Sequence, residues 1–182
     1  MSIKNKATIE ESIQIPENVQ VDIIKGLIKV SGPEGSNERK LIDPSLVIEK
    51  GDKKIILKAK KQTRNEKKIV MTFKSHLNNM IRGVIKNYFY KLKICSGHFP
   101  MNVSISNNKV IIKNFFAEKI PREANILKDV KVKIDGEIIT VIGSNKESVG
   151  QTAANIEQAC RITNKDRRIF MDGIYITSKD QD

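Results

Sequence analysis

Between Val19 and Val30 apolar residues alternate with polar ones around a Lys25-Gly26 pair, and the pattern returns between Val130 and Ile142 around Asp135-Gly136. Alternation with period two marks a strand with one buried face, and a short glycine-containing interruption brings the chain back beside itself. Each run reads as a β-hairpin, the second with Asp-Gly supplying the positive φ angles of a type I′ turn. Each has a companion: Leu46-Val47-Ile48 and Ile55-Ile56-Leu57 around Gly51-Asp52, and Val103-x-Ile105 and Val110-Ile111-Ile112 around Asn107-Asn108. The order of the hairpins differs between the halves.

Each half also ends in a helical pattern. Phe73, Leu77, Met80, Ile81, Val84 and Tyr88 recur at spacings of three and four, as do Val149, Ala153, Ile156 and Cys160. Ser148 and Gln151 have the spacing of a capping box. An antiparallel sheet with one apolar face needs a cover, which one amphipathic helix per half supplies. The expected fold is α+β: two tandem related modules, residues 1–85 and 86–182, each an antiparallel sheet covered by one helix. One larger mixed sheet is the alternative.

With no tryptophan and only 5% aromatics, the core must be built from Ile, Val and Leu. Lys and Arg number 33 against 21 Asp and Glu, a net charge of +12 spread along the chain. A polyanion is the expected partner. No stretch approaches the roughly 20 apolar residues that span a bilayer, and no hydrophobic segment follows Met1-Ser2-Ile3-Lys4-Asn5-Lys6. Two cysteines, Cys95 and Cys160, are too few for a disulfide scaffold. The expectation is a cytoplasmic protein without a membrane partner.

Further residues carry a resemblance. Ile15-Pro16-Glu17-Asn18-Val19 opens the first hairpin, and Val30-Ser31-Gly32-Pro33-x-Gly35 closes it. Ser75-His76-x-x-Asn79-Met80-Ile81-x-Gly83-Val84, His98-Phe99-Pro100-Met101-Asn102-Val103 and Asn114-Phe115-x-x-Glu118-Lys119 follow in order. The C-terminal block is Gln158-x-x-x-Ile162-x-x-Lys165-x-x-Arg168-x-Phe170-x-Asp172-Gly173-Ile174-Tyr175-Ile176. This set resembles the universal ribosomal protein family called L-six in bacteria and L-nine in eukaryotes, and the last block is similar to its eukaryotic and archaeal form.

The resemblance implies a structural constituent of the large ribosomal subunit in cytosolic ribosomes. It further implies binding to large-subunit ribosomal RNA near the stalk base and the translation-factor site, beside neighbouring ribosomal proteins, with the C-terminal module making much of the contact. Two departures stand out: Glu34 sits where the family commonly has a basic residue, and a cationic stretch from Lys58 to Lys68 replaces a tryptophan-containing one. That stretch is expected to be an exposed loop.

The candidate RNA-binding residues are Arg161, Lys165, Arg167 and Arg168 just after the second helix, Lys113, Asn114 and Lys119 around Phe115 and Phe116, and Lys179. Long cationic side chains reach phosphates, and Arg grips them bidentately. An isolated charge run more often only solvates a loop, so here the matched block carries the argument. Asp166 and Asp172 are expected to orient neighbouring cations or cap turns. Phe115 and Phe116 either stack on unpaired bases or belong to the core, the core being the better reading for at least one.

His76, Cys95, His98 and Cys160 have the composition of a Cys₂His₂ zinc site but not its two close pairs, so no metal and no cofactor is expected. A buried thiol is the better reading of Cys160. No nucleophile turn or Gly-rich phosphate loop is present, so neither an enzyme nor a small-molecule substrate is expected. The alternative function is an RNA-binding module acting outside the ribosome.

Overall fold

The computed structural model describes residues 9–166 and 168–179. The segment Met1 to Lys6 and the candidate Arg167 lie outside the described residues. The chain divides into two compact units between Lys86 and Asn87.

The N-terminal unit contains β1 (Glu10–Gln14), β2 (Gln20–Ile24), β3 (Leu27–Gly32), β4 (Gly35–Lys40), β5 (Leu46–Lys50), β6 (Lys54–Ala59) and α1 (Arg64–Ile85). The first hairpin is β2–β3, with Ile24 opposite Leu27. Lys25 and Gly26 both have positive φ, 48° and 79°, which is the type I′ requirement. Pairing continues to β4, while β1, β6 and β5 form a separate antiparallel sheet in that order. The module therefore has two three-stranded sheets where periodicity suggested one. Alternation says which face of a strand is apolar, but not which neighbour takes its hydrogen bonds.

Val21, Ile28 and Val30 of one sheet and Ile13, Ile55 and Leu57 of the other are buried with Val70, Leu77, Met80, Ile81 and Val84 of α1 in one core. Burying each aliphatic side chain contributes about 1.5–3 kcal/mol. The helix starts earlier than its apolar stripe. Arg64 to Lys68, expected in an exposed loop, form its first turn, and Lys58 and Ala59 close β6. Only residues 60–63 connect the two elements. A polar opening turn has no apolar period to betray it, although Lys, Glu and Arg are good helix formers.

The C-terminal unit contains β7 (Tyr88–Cys95), β8 (Asn102–Ser106), β9 (Lys109–Lys113), a 3-10 turn (Phe115–Ala117), β10 (Arg122–Asn125), β11 (Val130–Asp135), β12 (Ile138–Gly143), α2 (Lys146–Ala159) and β13 (Gly173–Lys179). Its antiparallel sheets have the orders β10-β9-β8 and β11-β12-β7-β13. Tyr88, expected on the first helix, opens β7 instead. In the β11–β12 hairpin Asp135 pairs with Ile138, leaving Gly136 and Glu137 as the central residues. Of these only Gly136 has positive φ, 57°, so the turn follows the type II′ pattern rather than the expected type I′.

Ile139 and Val141 of β12, Leu92 of β7 and Ile174 of β13 share one core with Val149, Ala153 and Ile156 of α2. The cap of α2 is Asn145, whose side-chain oxygen accepts from the N–H groups of Glu147 at 3.0 Å and Ser148 at 3.4 Å. Ser148 therefore lies within the first turn and is not the capping residue. No helix among the described residues is long and apolar enough to cross a membrane.

Gly32 marks a tight junction in the N-terminal unit. A Cβ there would lie 2.8 Å from both Cγ2 and the carbonyl oxygen of Val84, the carbonyl that also accepts from Glu34 N–H at 2.9 Å. Gly32→Ala should therefore lower unfolding free energy by about 1–3 kcal/mol, the usual effect of overpacking, measured by urea unfolding. An unchanged midpoint would show that the end of α1 shifts freely. Asn145→Ala should cost about 1 kcal/mol in the other unit through loss of the helix cap.

Candidate nucleic-acid interface

In the C-terminal unit a chain of aromatic rings links segments far apart in sequence. Phe116 meets Phe115 at 4.8 Å, Phe170 at 5.8 Å and Phe99 at 6.2 Å between centroids, and Phe170 meets His98 at 5.1 Å. The three phenylalanine pairs are edge-to-face, the arrangement their quadrupoles favour. Phe115 is buried, whereas Phe116 and Phe170 are half-buried and Phe99 is exposed. The ammonium of Lys165 stands 5.3 Å from the centre of the Phe116 ring and 4.9 Å from that of Phe170. A cation–π pairing of this kind fixes an exposed lysine without neutralising it.

Two backbone features place these rings. Asn114 has φ 63° and Phe116 φ 49°, in the left-handed region that non-glycine residues rarely adopt. The side-chain amide of Asn114 donates to Pro100 O at 2.9 Å, tying the turn after β9 to the Phe99 loop. At the other end Asp172 is 2% exposed and its carboxylate accepts from the backbone N–H groups of Gly97 and His98, with His98 Nδ1 3.1 Å from Oδ2. A carboxylate buried this deeply needs such partners. Asp172 therefore caps the Gly97-His98 turn, as one of the two readings expected of it.

Asp166 takes the other role. Its carboxylate accepts from Arg168 Nη2 at 2.7 Å, from Nε at 3.1 Å and from the backbone N–H of Arg168 at 2.9 Å. These bonds hold the Asp166 carboxyl below its usual range and raise the Arg168 guanidinium, whose side chain stays largely in solvent. Phe170 N–H donates to Asp166 O at 2.9 Å, so one acidic residue shapes the turn and orients its cation.

Arg122 was not singled out by the sequence, yet it joins these segments. Its Nη1 donates to Ala159 O at 2.9 Å and Arg161 O at 3.1 Å, while Nε and Nη2 reach the two Glu118 oxygens at 2.8 and 2.6 Å. The guanidinium carbon lies 4.2 Å from the Phe115 ring centre. Hydrogen bonding to Glu118 raises the Arg122 pKa, and the same contact lowers that of Glu118. The visible signal was the Glu118-x-x-x-Arg122 spacing. The two carbonyl contacts depend on where α2 ends, which no local pattern specifies.

The structure sets Lys165 over Phe116, two residues after Asn114, and Arg168 on Asp166 in the segment that follows Lys165, with Lys113 exposed at the end of β9 next to Asn114. Arg161 and Lys119 are exposed on the adjoining segments that Arg122 and Glu118 connect. Lys179 is separate: it pairs with Tyr90 at the far end of β13, about 20 Å along the strand from Gly173. Among the described residues no group of three or more His, Cys, Asp or Glu is arranged to hold a metal ion.

Cys160, the C-cap of α2, is buried, and desolvation pushes its thiol up to about 12 despite the nearby Arg122. A raised pKa means that the folded state keeps its proton where the unfolded chain has lost it. The thiol's contribution is thus complete below pH about 9 and is lost as pH rises toward 12, at up to about 1.4 kcal/mol per pH unit. In the native protein at pH 8, alkylation should modify half-buried Cys95 and spare Cys160 until denaturant is added. Equal rates at both thiols would show that the end of α2 opens readily.

The family model for Ribosomal protein L6 matches residues 15–87 and 99–173. The chain is 44% identical over 173 residues to the large ribosomal subunit protein uL6 of Methanococcus vannielii, covering 95% of each protein. It is 41% identical over 174 residues to the protein of the same description from Methanobrevibacter smithii, covering 96% of this chain and 98% of the relative. The chain belongs to the ribosomal protein L6 family, a family of ribosomal proteins and not a class of enzymes.

Proposed function

We propose that this protein is a structural constituent of the large ribosomal subunit in cytosolic ribosomes, where its C-terminal module holds ribosomal RNA near the stalk base and the translation-factor site. The observation that carries the RNA-binding part is the ring cluster of Phe99, Phe116 and Phe170 with Lys165 fixed over it. The exposed Phe99 ring and the half-buried rings beside it offer surface to unpaired bases, and the held cation offers a contact to phosphates. Arg161, Lys165, Arg168, Lys113, Asn114 and Lys119 make the contact in this reading, with Arg167 in the same segment. Lys179 would serve a separate stretch of backbone. That the two relatives are large ribosomal subunit proteins supports the subunit assignment, and the net charge of +12 supplies the polyelectrolyte term.

Binding of this kind neutralises charge and fits the shape of folded RNA rather than reading a sequence. Sucrose-gradient sedimentation of cell extract at moderate and high salt, with the chain followed by mass spectrometry, tests the assignment. Co-migration with large subunits at both salts is the expected result. A predominantly free pool would instead favour a module acting outside the ribosome. For the purified protein on large-subunit RNA, Lys165→Ala and Arg168→Ala should each reduce the salt dependence of binding by about one unit of log–log slope. Unchanged slopes would remove those two side chains from the interface.

A further inference from the structure

His98 and Asp172 also line an open cleft of about 760 Å³ in the C-terminal unit. Its size falls in the range of roughly 300–1,000 Å³ typical of sites for small ligands or parts of larger ones. Ile169 and Met171, each 63% exposed, and Tyr175, 41% exposed, stand around it. Three large, largely apolar side chains left in water next to a cationic segment indicate a surface made to be covered. Tyr175 is held in place: its hydroxyl donates to Met171 O at 3.2 Å, and its ring lies across Gly173, where a Cβ would come within 3.0 Å of it.

The polar groups of the cleft narrow the occupant. The Asp172 carboxylate is already engaged by Gly97 and His98. Glu137, at the β11–β12 turn, is different. Its carbonyl accepts from Ile94 N–H at 2.8 Å, which anchors the turn backbone, while its carboxylate makes no hydrogen bond or ion pair among the described residues. Lys93 lies on the same cleft and supplies a positive charge. A fitting occupant has a flat, largely apolar body, donors along one edge and an attached anion.

Among nucleobases guanine meets these conditions best. Its N1–H and exocyclic amino group point the same way and match the two oxygens of a carboxylate. Uracil presents one N–H between two carbonyls, and adenine and cytosine each place an acceptor beside their amino group. We propose that this cleft receives the base of an unpaired guanine in the RNA bound by the module. Its Watson–Crick edge lies on Glu137, its face on the Met171 and Tyr175 side chains, and its phosphate toward Lys93. Splayed bases of single-stranded RNA segments are recognised by such combinations of stacking and edge contacts. The proposal rests on the RNA-binding reading above and adds a base identity to it.

The test uses the full chain bound to deproteinised large-subunit RNA and kethoxal, a reagent that closes a ring on guanine N1 and N2. The wild type is expected to shield one unpaired guanine. Glu137→Gln, an exposed turn substitution, turns a donor toward that edge; it should reopen the same guanine to the reagent and weaken binding about tenfold. Glu137→Asp, which keeps the carboxylate on a shorter arm, should retain part of the protection. If wild type and Glu137→Gln bind with equal affinity and leave the same guanines reactive, the cleft holds no guanine while RNA binding itself stands. Failure of the wild type to bind the RNA at all would overturn both readings.

Discussion

Burial of branched aliphatic side chains beneath a single helix is the constraint under which each module is built. Ile28, Val30, Ile55 and Leu57 in one unit and Leu92, Ile139, Val141 and Ile174 in the other are almost completely withdrawn from water. With no tryptophan and few aromatics, closeness of approach matters more than the bulk of any one side chain. Glycines therefore sit where helix and strand come nearest. A Cβ on Gly143 would lie 2.9 Å from Val149 Cγ2 of α2, and Gly32 occupies the comparable tight place beside Val84 of α1.

The candidate interface is held by polar contacts added to that core. Asp172 ties the start of β13 to the turn after β7, and Arg122 ties the start of β10 to the end of α2. Glu157 of α2 adds a third tie, accepting from Ile176 N–H at 3.1 Å beside the irregularity in β13. These buried or half-buried partners fix loops that would otherwise wander. Aromatic rings and cations can then stand at the surface in a set geometry, which is what docking onto a rigid, folded polyanion requires.

Much of the fold was legible because its signals are local. Alternation around Lys25-Gly26 and Asn107-Asn108 located two hairpins, whose turn residues all have positive φ, and apolar spacings located both helices. Errors fell at boundaries. The polar start of α1, the assignment of Tyr88 and the true cap Asn145 all lie where the apolar period is silent. The one-residue shift of the Gly136 turn reflects register, which pairing with β7 as well as the hairpin itself decides.

The sequence by itself determined the α+β class, the duplication, the basic character and, through its ordered motifs, the family. These follow from periodicity, charge and short-range spacing, which a linear chain carries openly. Tertiary structure alone decided that strands in each module divide into two sheets, that Lys165 lies over rings from two separate segments, and that Lys179 stands apart from the other candidate cations. It also decided that Arg122 joins the end of α2 to β10 and that Glu137 meets His98 and Tyr175 at one cleft. Such contacts link residues tens of positions apart. Their existence depends on packing distances of a few ångströms, which no local pattern encodes.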